Sequence, residues 1–250
     1  MHIRNSATVA CSHAGVGIDV GIPTDPGSGT AVIRDSEIAD YGTKGILILS
    51  EGPATIVGNV VTGSPSRPAD GIDALFSAST VSHNRVSGNV CPANDTRCGP
   101  DFLNEFQHAG IFAGGHPGAV VSRNVVFDNQ VGIYAVGGEV SPDHNVHFDD
   151  ELSGLVLQDG DYTATGDTIL GGTTGVTVVA IGADASAALD RVNVAGTSGP
   201  PVTTFQCCGS TATFAGSRHP SWIASHFGIR HWTRRCPSAN LCVPTNPASH

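Results

Sequence analysis

Apolar residues in this chain come in short bursts that alternate with small or polar ones, as in Gly45–Ile46–Leu47–Ile48–Leu49 and Val176–Thr177–Val178–Val179–Ala180. Each burst starts just after a glycine. The glycines form a column of Gly17, Gly45, Gly71, Gly110, Gly132, Gly154 and Gly175, whose spacing settles near 22 residues with longer intervals at certain joints. Interleaved with them is a second column of Asn5, Asp35, Asn59, Asn84, Asn124, Asn145, Asp167 and Asp190. Two-residue alternation broken by glycine in every repeat does not suit an amphipathic helix. It predicts three short strands per repeat, typified by Ala119–Ser122, Val125–Phe127 and Ile133–Val136. The Asn/Asp column is expected at a sharp bend, because these residues tolerate left-handed backbone angles. Stacked at ~4.8 Å, their amides can bond from repeat to repeat.

A period of this length, with insertions confined to a few joints, indicates a solenoid. Two inward columns follow from the register. One is Ile18, Ile46, Ile72, Ile111, Ile133, Leu155 and Val176; the other is Val20, Ile48, Ala74, Ala113, Ala135, Leu157 and Val178. Neither contains a charge, so the expected fold is an all-β solenoid of about 7–8 rungs with three short strands per rung. The pattern resembles the right-handed parallel β-helix of the pectate lyase-like superfamily, with its short repeats and asparagine ladder, over roughly residues 1–200. That resemblance implies a fold shared by lyases, inverting hydrolases, epimerases, phage tailspikes and non-catalytic surface proteins, so function must come from the site.

Residues 1–205 are expected to form the β-helix domain. The chain opens directly in a rung at "HIRNSATVA", whereas solenoid ends are normally capped, so an N-terminal cap is expected to be missing. Residues 206–250 change character, with both Trp, four of the seven Cys, four of the eleven His and no acid. They read as an irregular tail or a disulfide-held cap, or as out-of-frame translation.

Charge narrows the partners. The formal charge is −10, and all 22 acids lie within residues 1–190 alongside seven basic residues. An acidic body does not suit nucleic acid, and no apolar run is long enough to span a membrane. Cys91 and Cys98 bracket "CPANDTRC", where a disulfide closing the loop would imply an oxidising compartment. Together with the cap expected to be missing, this makes an extracellular or periplasmic location the expectation. No cysteine pair has zinc-site spacing. The densest group of metal-ligand types is "DHNVHFDDE", Asp143 to Glu151, with His144 in the turn and His147 expected to face outward. It reads as a solvated ridge, although some superfamily members resemble periplasmic metal-delivery proteins.

Two insertions precede glycines of the repeat, "TGSPSRPAD" and "SGNVCPANDTRCGPDFLNEFQHA". Long loops on a regular scaffold commonly carry function. Beside them stand Lys44, Asp70, His108 and Gln130, just before the glycines. Asp19, Asp73, Phe112 and Tyr134 occupy the outward column two residues after them. The expected catalytic group is therefore Asp70, Asp73, His108, Lys44 and Tyr134, with Asp19, Phe112, Gln130 and His116 binding substrate. A cluster of acid, base, cation and aromatic groups suits a polysaccharide or oligosaccharide, and the active groove of pectate lyase-like enzymes resembles it in position. Asp70 and Asp73 could serve as the acid and base of inverting hydrolysis, with carboxyls ~6.5–9.5 Å apart. They could instead hold Ca²⁺ against a uronate while His108 or Lys44 takes a proton and Tyr134 gives one. The expectation is thus a carbohydrate-active β-helix acting as lyase, inverting hydrolase or epimerase. The alternative is a non-catalytic binding module or metal-delivery relative. "DGID" at Asp70–Asp73 is the nearest approach to a family motif, and no arginine stands in the groove column.

Overall fold

The structure is a computed structural model. It describes residues 2–4, 15–21, 30–49, 52–76, 78–102, 105–115, 118–138, 140–207, 209–216, 230–238 and 241–244. Three strands build each rung, and strands of successive rungs pair in parallel. One sheet holds Glu37–Ala39, Val60–Thr62, Arg85–Ser87, Val125–Phe127, Val146–Phe148, Thr168–Leu170 and Asn193–Ala195, beginning from His2–Arg4. The second holds Val16–Val20, Lys44–Leu49, Asp70–Leu75, Ala109–Gly114, Val131–Val136, Ser153–Gln158, Thr174–Ala180 and Val202–Cys207. The third runs from Ala31–Arg34 to Ala212–Gly216. The chain is a parallel β-helix.

Both inward columns pair as expected, Ile18 on Ile46, Ile72, Ile111, Ile133, Leu155 and Val176 in turn, and Val20 on Ile48 through to Val178. They merge with the inward residues of the other sheets into one core. Each fully buried branched aliphatic side chain contributes ~1.5–3 kcal/mol. Like on like stacking lets each rung repeat the packing of the one below.

The bend differs from expectation. The left-handed residue is the one before the ladder asparagine: His83, Arg123 and His144 have φ of 57°, 55° and 53°, and Gly58 before Asn59 has 68°. The ladder itself runs through Asn59, Asn84, Asn124, Asn145 and Asp167. Asp35 sits one position early, Asp190 pairs with Thr165 at a strand end, and Asn5 lies outside the described residues. The left-handed turn costs each L-residue ~1–2 kcal/mol, and the ladder offsets it. Asn84, for example, donates to Asn124 Oδ1 and to the Ile56 carbonyl, both at 3.0 Å, while its Oδ1 accepts from the backbone and side chain of Asn59.

Asp167 breaks this pattern, because its Oδ2 is buried with no hydrogen-bond partner and burial raises its carboxyl to about 7. An amide there would donate as the other ladder amides do. Asp167→Asn is therefore expected to stabilise the fold by about 1–3 kcal/mol at pH 8, read as a higher urea midpoint. The sign follows from linkage: the raised carboxyl helps the fold below the unfolded value and loses that contribution as pH rises through about 7. The gain should shrink toward pH 5; no gain at pH 8 would refute the account.

A second ladder stands at the next bend. Tyr41 donates its phenol to Asn89 Oδ1, Asn89 donates to Asn129 Oδ1 at 2.9 Å, and Asn129 to Asp150 Oδ1 at 3.1 Å. Next to it His147 corrects the sequence reading: it faces inward, between Val126 and Ile169, and has no exposed surface. The strand Val146–Phe148 starts directly after Asn145, which fixes its central residue on the core side. Beyond the β-helix body, the expected irregular tail from residue 206 carries strands. Ala212–Gly216 continues the third sheet, and Arg230–Ser238 pairs with Val202–Cys207.

Candidate functional site

The site lies on the outer face of the second sheet, and its geometry begins with Gly71. Strict alternation would put Asp70 and Asp73 on opposite faces. The backbone kinks between them, so that Gly71 and Ile72 both face the core. A Cβ on Gly71 would lie 2.4 Å from the Gly110 carbonyl oxygen, 2.5 Å from Val86 Cγ1 and 2.9 Å from Asn89 Nδ2. Only glycine fits where the second ladder passes so close. The kink turns both carboxylates outward, toward one cation.

That cation is Lys44, which pairs across the rung with Asp70. Its ammonium donates to Asp70 Oδ2 and stands 2.6 Å from Asp73 Oδ2. Asp70 Oδ1 accepts from the Ala109 backbone at 2.7 Å and faces His108 Nδ1 at 3.4 Å, which has no hydrogen-bond partner. His108 in turn donates its backbone N–H to Gln130 Oε1 at 2.7 Å. Asp73 is 2% exposed, and its Oδ1 is enclosed without a partner.

Electrostatics divide the two acids. Burial acts to raise Asp70, but Lys44 and His108 outweigh it and hold the carboxyl below its ordinary value. Burial raises Asp73 and the Asp70 charge adds to this, so that Asp73 reaches about 7 despite Lys44. Burial would lower Lys44, yet the two acids lift it above an ordinary lysine. The cluster therefore holds one ionised carboxylate, one acid poised near neutrality and one permanent cation.

The remaining expectations fare unevenly. Lys44, Asp70, Asp73 and His108 come together, with Gln130 behind His108 and Phe112 paired next to Asp73. His108 and Gln130 stand one position before the column of Lys44 and Asp70, since Ala109 and Val131 are the paired residues there. Lys44 is too firmly charged to act as base. Its ammonium fills the place between the carboxylates that the alternative reading gave to Ca²⁺. Sharing one ammonium also brings the two Oδ2 atoms closer than the ~6.5–9.5 Å of an inverting pair. Asp19 is exposed and separated from Asp73 by the rung of Leu47. His116 lies outside the described residues.

Tyr134 is engaged elsewhere. It donates to Gln158 Oε1, and burial pushes its phenol well up. Its ring packs against Phe112 and Phe102, with centroids 5.2 and 6.3 Å away. Phe102, from the long insertion, also meets Phe205 at 5.4 Å. The insertion thus lays a second apolar cluster of Phe102, Ala109, Val131, Tyr134, Val156 and Val179 across the outer face. The long insertion lies over this face, and the part-exposed members of the ion cluster are Lys44 and His108. Sequence reading missed Phe102, whose only signal is the apolar pair Phe102–Leu103 in a polar loop, and Tyr41, whose buried phenol feels both Asp70 and Asp73.

The Asp143–Glu151 stretch does not converge, since His144 is exposed and His147 lies inside the wall. Among the described residues no group of three or more His, Cys, Asp or Glu is placed to hold a metal ion, and no helix is long and apolar enough to cross a membrane. Compared with known families, residues 3–190 match the one described as right handed beta helix region. Neither a curated protein nor a solved structure matches the chain.

Proposed function

The chain belongs to the right-handed β-helix family, and from that premise we propose that it acts on a polysaccharide, cleaving a glycosidic bond by acid catalysis at Asp73. One observation carries this reading. Two carboxylates on one kinked strand share Lys44, one kept ionised and the other raised to about 7 beside an unpartnered enclosed oxygen. An acid of this value gives protons efficiently near neutral pH. The shared ammonium brings the pair toward the ~5–5.5 Å of a retaining arrangement, with Asp70 as the ionised partner. Lys44 and His108 are the part-exposed members of the cluster, and a sugar oxygen would approach the acid from their side. The Cys91–Cys98 disulfide supports an extracellular or periplasmic setting.

Purified protein incubated with a panel of neutral and acidic polysaccharides should release new reducing ends. Asp73→Asn should lower that rate at least ~100-fold. Activity should fall as pH rises through about 7, because the proton donor is lost. A rise in unsaturated-uronate absorbance would replace hydrolysis with a lyase reaction, and equal rates in wild type and variant would refute the role of Asp73.

The near-complete enclosure of Asp73 and the occupation of both acids by Lys44 favour a second reading, a non-catalytic glycan-binding β-helix in which the ion cluster clamps neighbouring rungs. It predicts glycan binding without product.

A further inference from the structure

The two insertions meet and leave between them an open cleft of about 380 Å³. We propose that this cleft is a subsite for an uncharged pyranose unit of a polysaccharide, separate from the carboxylate cluster. The proposal rests on the glycan reading above and adds to it the class of sugar.

The cleft is preformed. On the side of the long insertion, the Cys91–Cys98 disulfide closes the loop, and within it Asp95 donates its backbone N–H to the Pro92 carbonyl at 2.9 Å. On the other side, Arg67 donates its backbone N–H to the Ser64 carbonyl at 3.1 Å. Its side chain ties the loop to the Asp40 carbonyl at 3.2 Å. A site already shaped in the free protein loses less entropy on binding. Its volume lies at the lower end of the ~300–1,000 Å³ of small-molecule sites, enough for a single ring or a disaccharide.

The lining names the ligand chemistry. Ser66, Asn94 and Thr96 offer hydroxyl and amide groups, while Pro68 and Pro92 offer flat apolar surface. That mixture matches a pyranose, which carries hydroxyls on its rim and C–H groups on its faces. The charges in the cleft cancel, because Arg97 gives its Nε to Asp95 Oδ1 at 2.9 Å and its Nη2 to Oδ2 at 2.6 Å. A guanidinium spent bidentately on its own neighbour has little left for a uronate carboxylate. The chain's net charge of −10 also repels a polyanion. Phe106, 69% exposed, is bonded through its backbone N–H to the Arg97 carbonyl, adding an open aromatic ring to the same loop. Pro68, in the lining, stands two residues before Asp70 of the carboxylate cluster.

The test measures binding by affinity electrophoresis and calorimetry. Soluble xylan and mixed-linkage β-glucan serve as neutral probes and polygalacturonate as the anionic one. Wild type should bind the neutral glycans in preference to polygalacturonate. The surface double variant Asn94→Ala, Thr96→Val should bind at least tenfold more weakly. Cys91→Ser with Cys98→Ser should weaken binding similarly while the melting of the β-helix is retained. Preference for polygalacturonate, or unchanged affinity in the Asn94/Thr96 variant, would overturn the cleft. If that variant turns glycan over with wild-type KM, the cleft falls and catalysis stands. If it loses binding while Asp73→Asn has no effect on turnover, or no turnover exists, the cleft stands and catalysis falls. No binding by wild type to any probe overturns both.

Discussion

Lys44→Met is expected to destabilise the protein by about 3–5 kcal/mol at pH 8, because it leaves Asp70 and Asp73 buried and charged with no cation between them. For a chain of this size that corresponds to a fall in Tm of roughly 10 °C or more. The effect must depend on pH. Asp70 is held below its ordinary value by Lys44, so its contribution is present above the unfolded value and is lost as pH falls through the lowered one. Asp73 is raised to about 7 even with Lys44 in place, and it rises further without it. The variant's acids can therefore take up protons as pH falls from 8 toward 5, and the deficit narrows. Urea unfolding of both proteins at pH 5 and pH 8 measures this. The triple variant Lys44→Met, Asp70→Asn, Asp73→Asn should recover most of the loss, since neutral amides do not need the cation. An equal loss at both pH values would show that Lys44 acts through packing of its alkyl chain instead.

The rung architecture was legible because the inward columns from Ile18 to Val176 and from Val20 to Val178 contain no charge, so any shift of register would have buried one. The site was half legible. Asp70 and Asp73 stood out as "DGID" beside two insertions, and Lys44 as the chain's single lysine. Alternation could not show that they share a face, because this depends on the backbone at Gly71, where close neighbours leave no room for a side chain. Nor could local pattern reveal that the long insertion lies across Tyr134 and reaches Phe205, a contact between residues far apart in sequence. His147 was misjudged by residue type: a histidine between Val146 and Phe148 reads as solvent-facing until the ladder at Asn145 sets its register. The second ladder was present in the sequence as Asn129 and Asp150, each shortly before a repeat glycine, but the stronger column at the other bend obscured it.

His147 and Asp150 together should give the β-helix a stability optimum on the weakly acidic side of neutrality. Both nitrogens of His147 and Oδ2 of Asp150 are buried without hydrogen-bond partners, the Nδ1 and Oδ2 atoms lying 3.8 Å apart. A Cβ at Gly132 would lie within 2.6 Å of either group, so no side chain there separates them. Burial lowers His147 to about 3 and raises Asp150 to about 8, so both are neutral in the fold near pH 6. For His147 the stabilising contribution is complete above the unfolded value and is lost as pH falls toward about 3. For Asp150 it is complete below the unfolded value and is lost as pH rises through about 8. Asp73 and Asp167, both raised to about 7, reinforce the alkaline loss. Wild-type stability should therefore drop by on the order of 2–4 kcal/mol between pH 5 and pH 9. Asp150→Asn should flatten the alkaline limb, because its amide keeps accepting from Asn129 and carries no charge to desolvate. His147→Val, matching the valine beneath it, should flatten the acid limb and raise stability at every pH, since it replaces two unsatisfied nitrogens with packed methyl groups. Thermal unfolding across pH 4 to 9 separates the limbs. A wild-type profile that does not fall between pH 5 and pH 9 would refute the reading of Asp150 as a buried neutral acid.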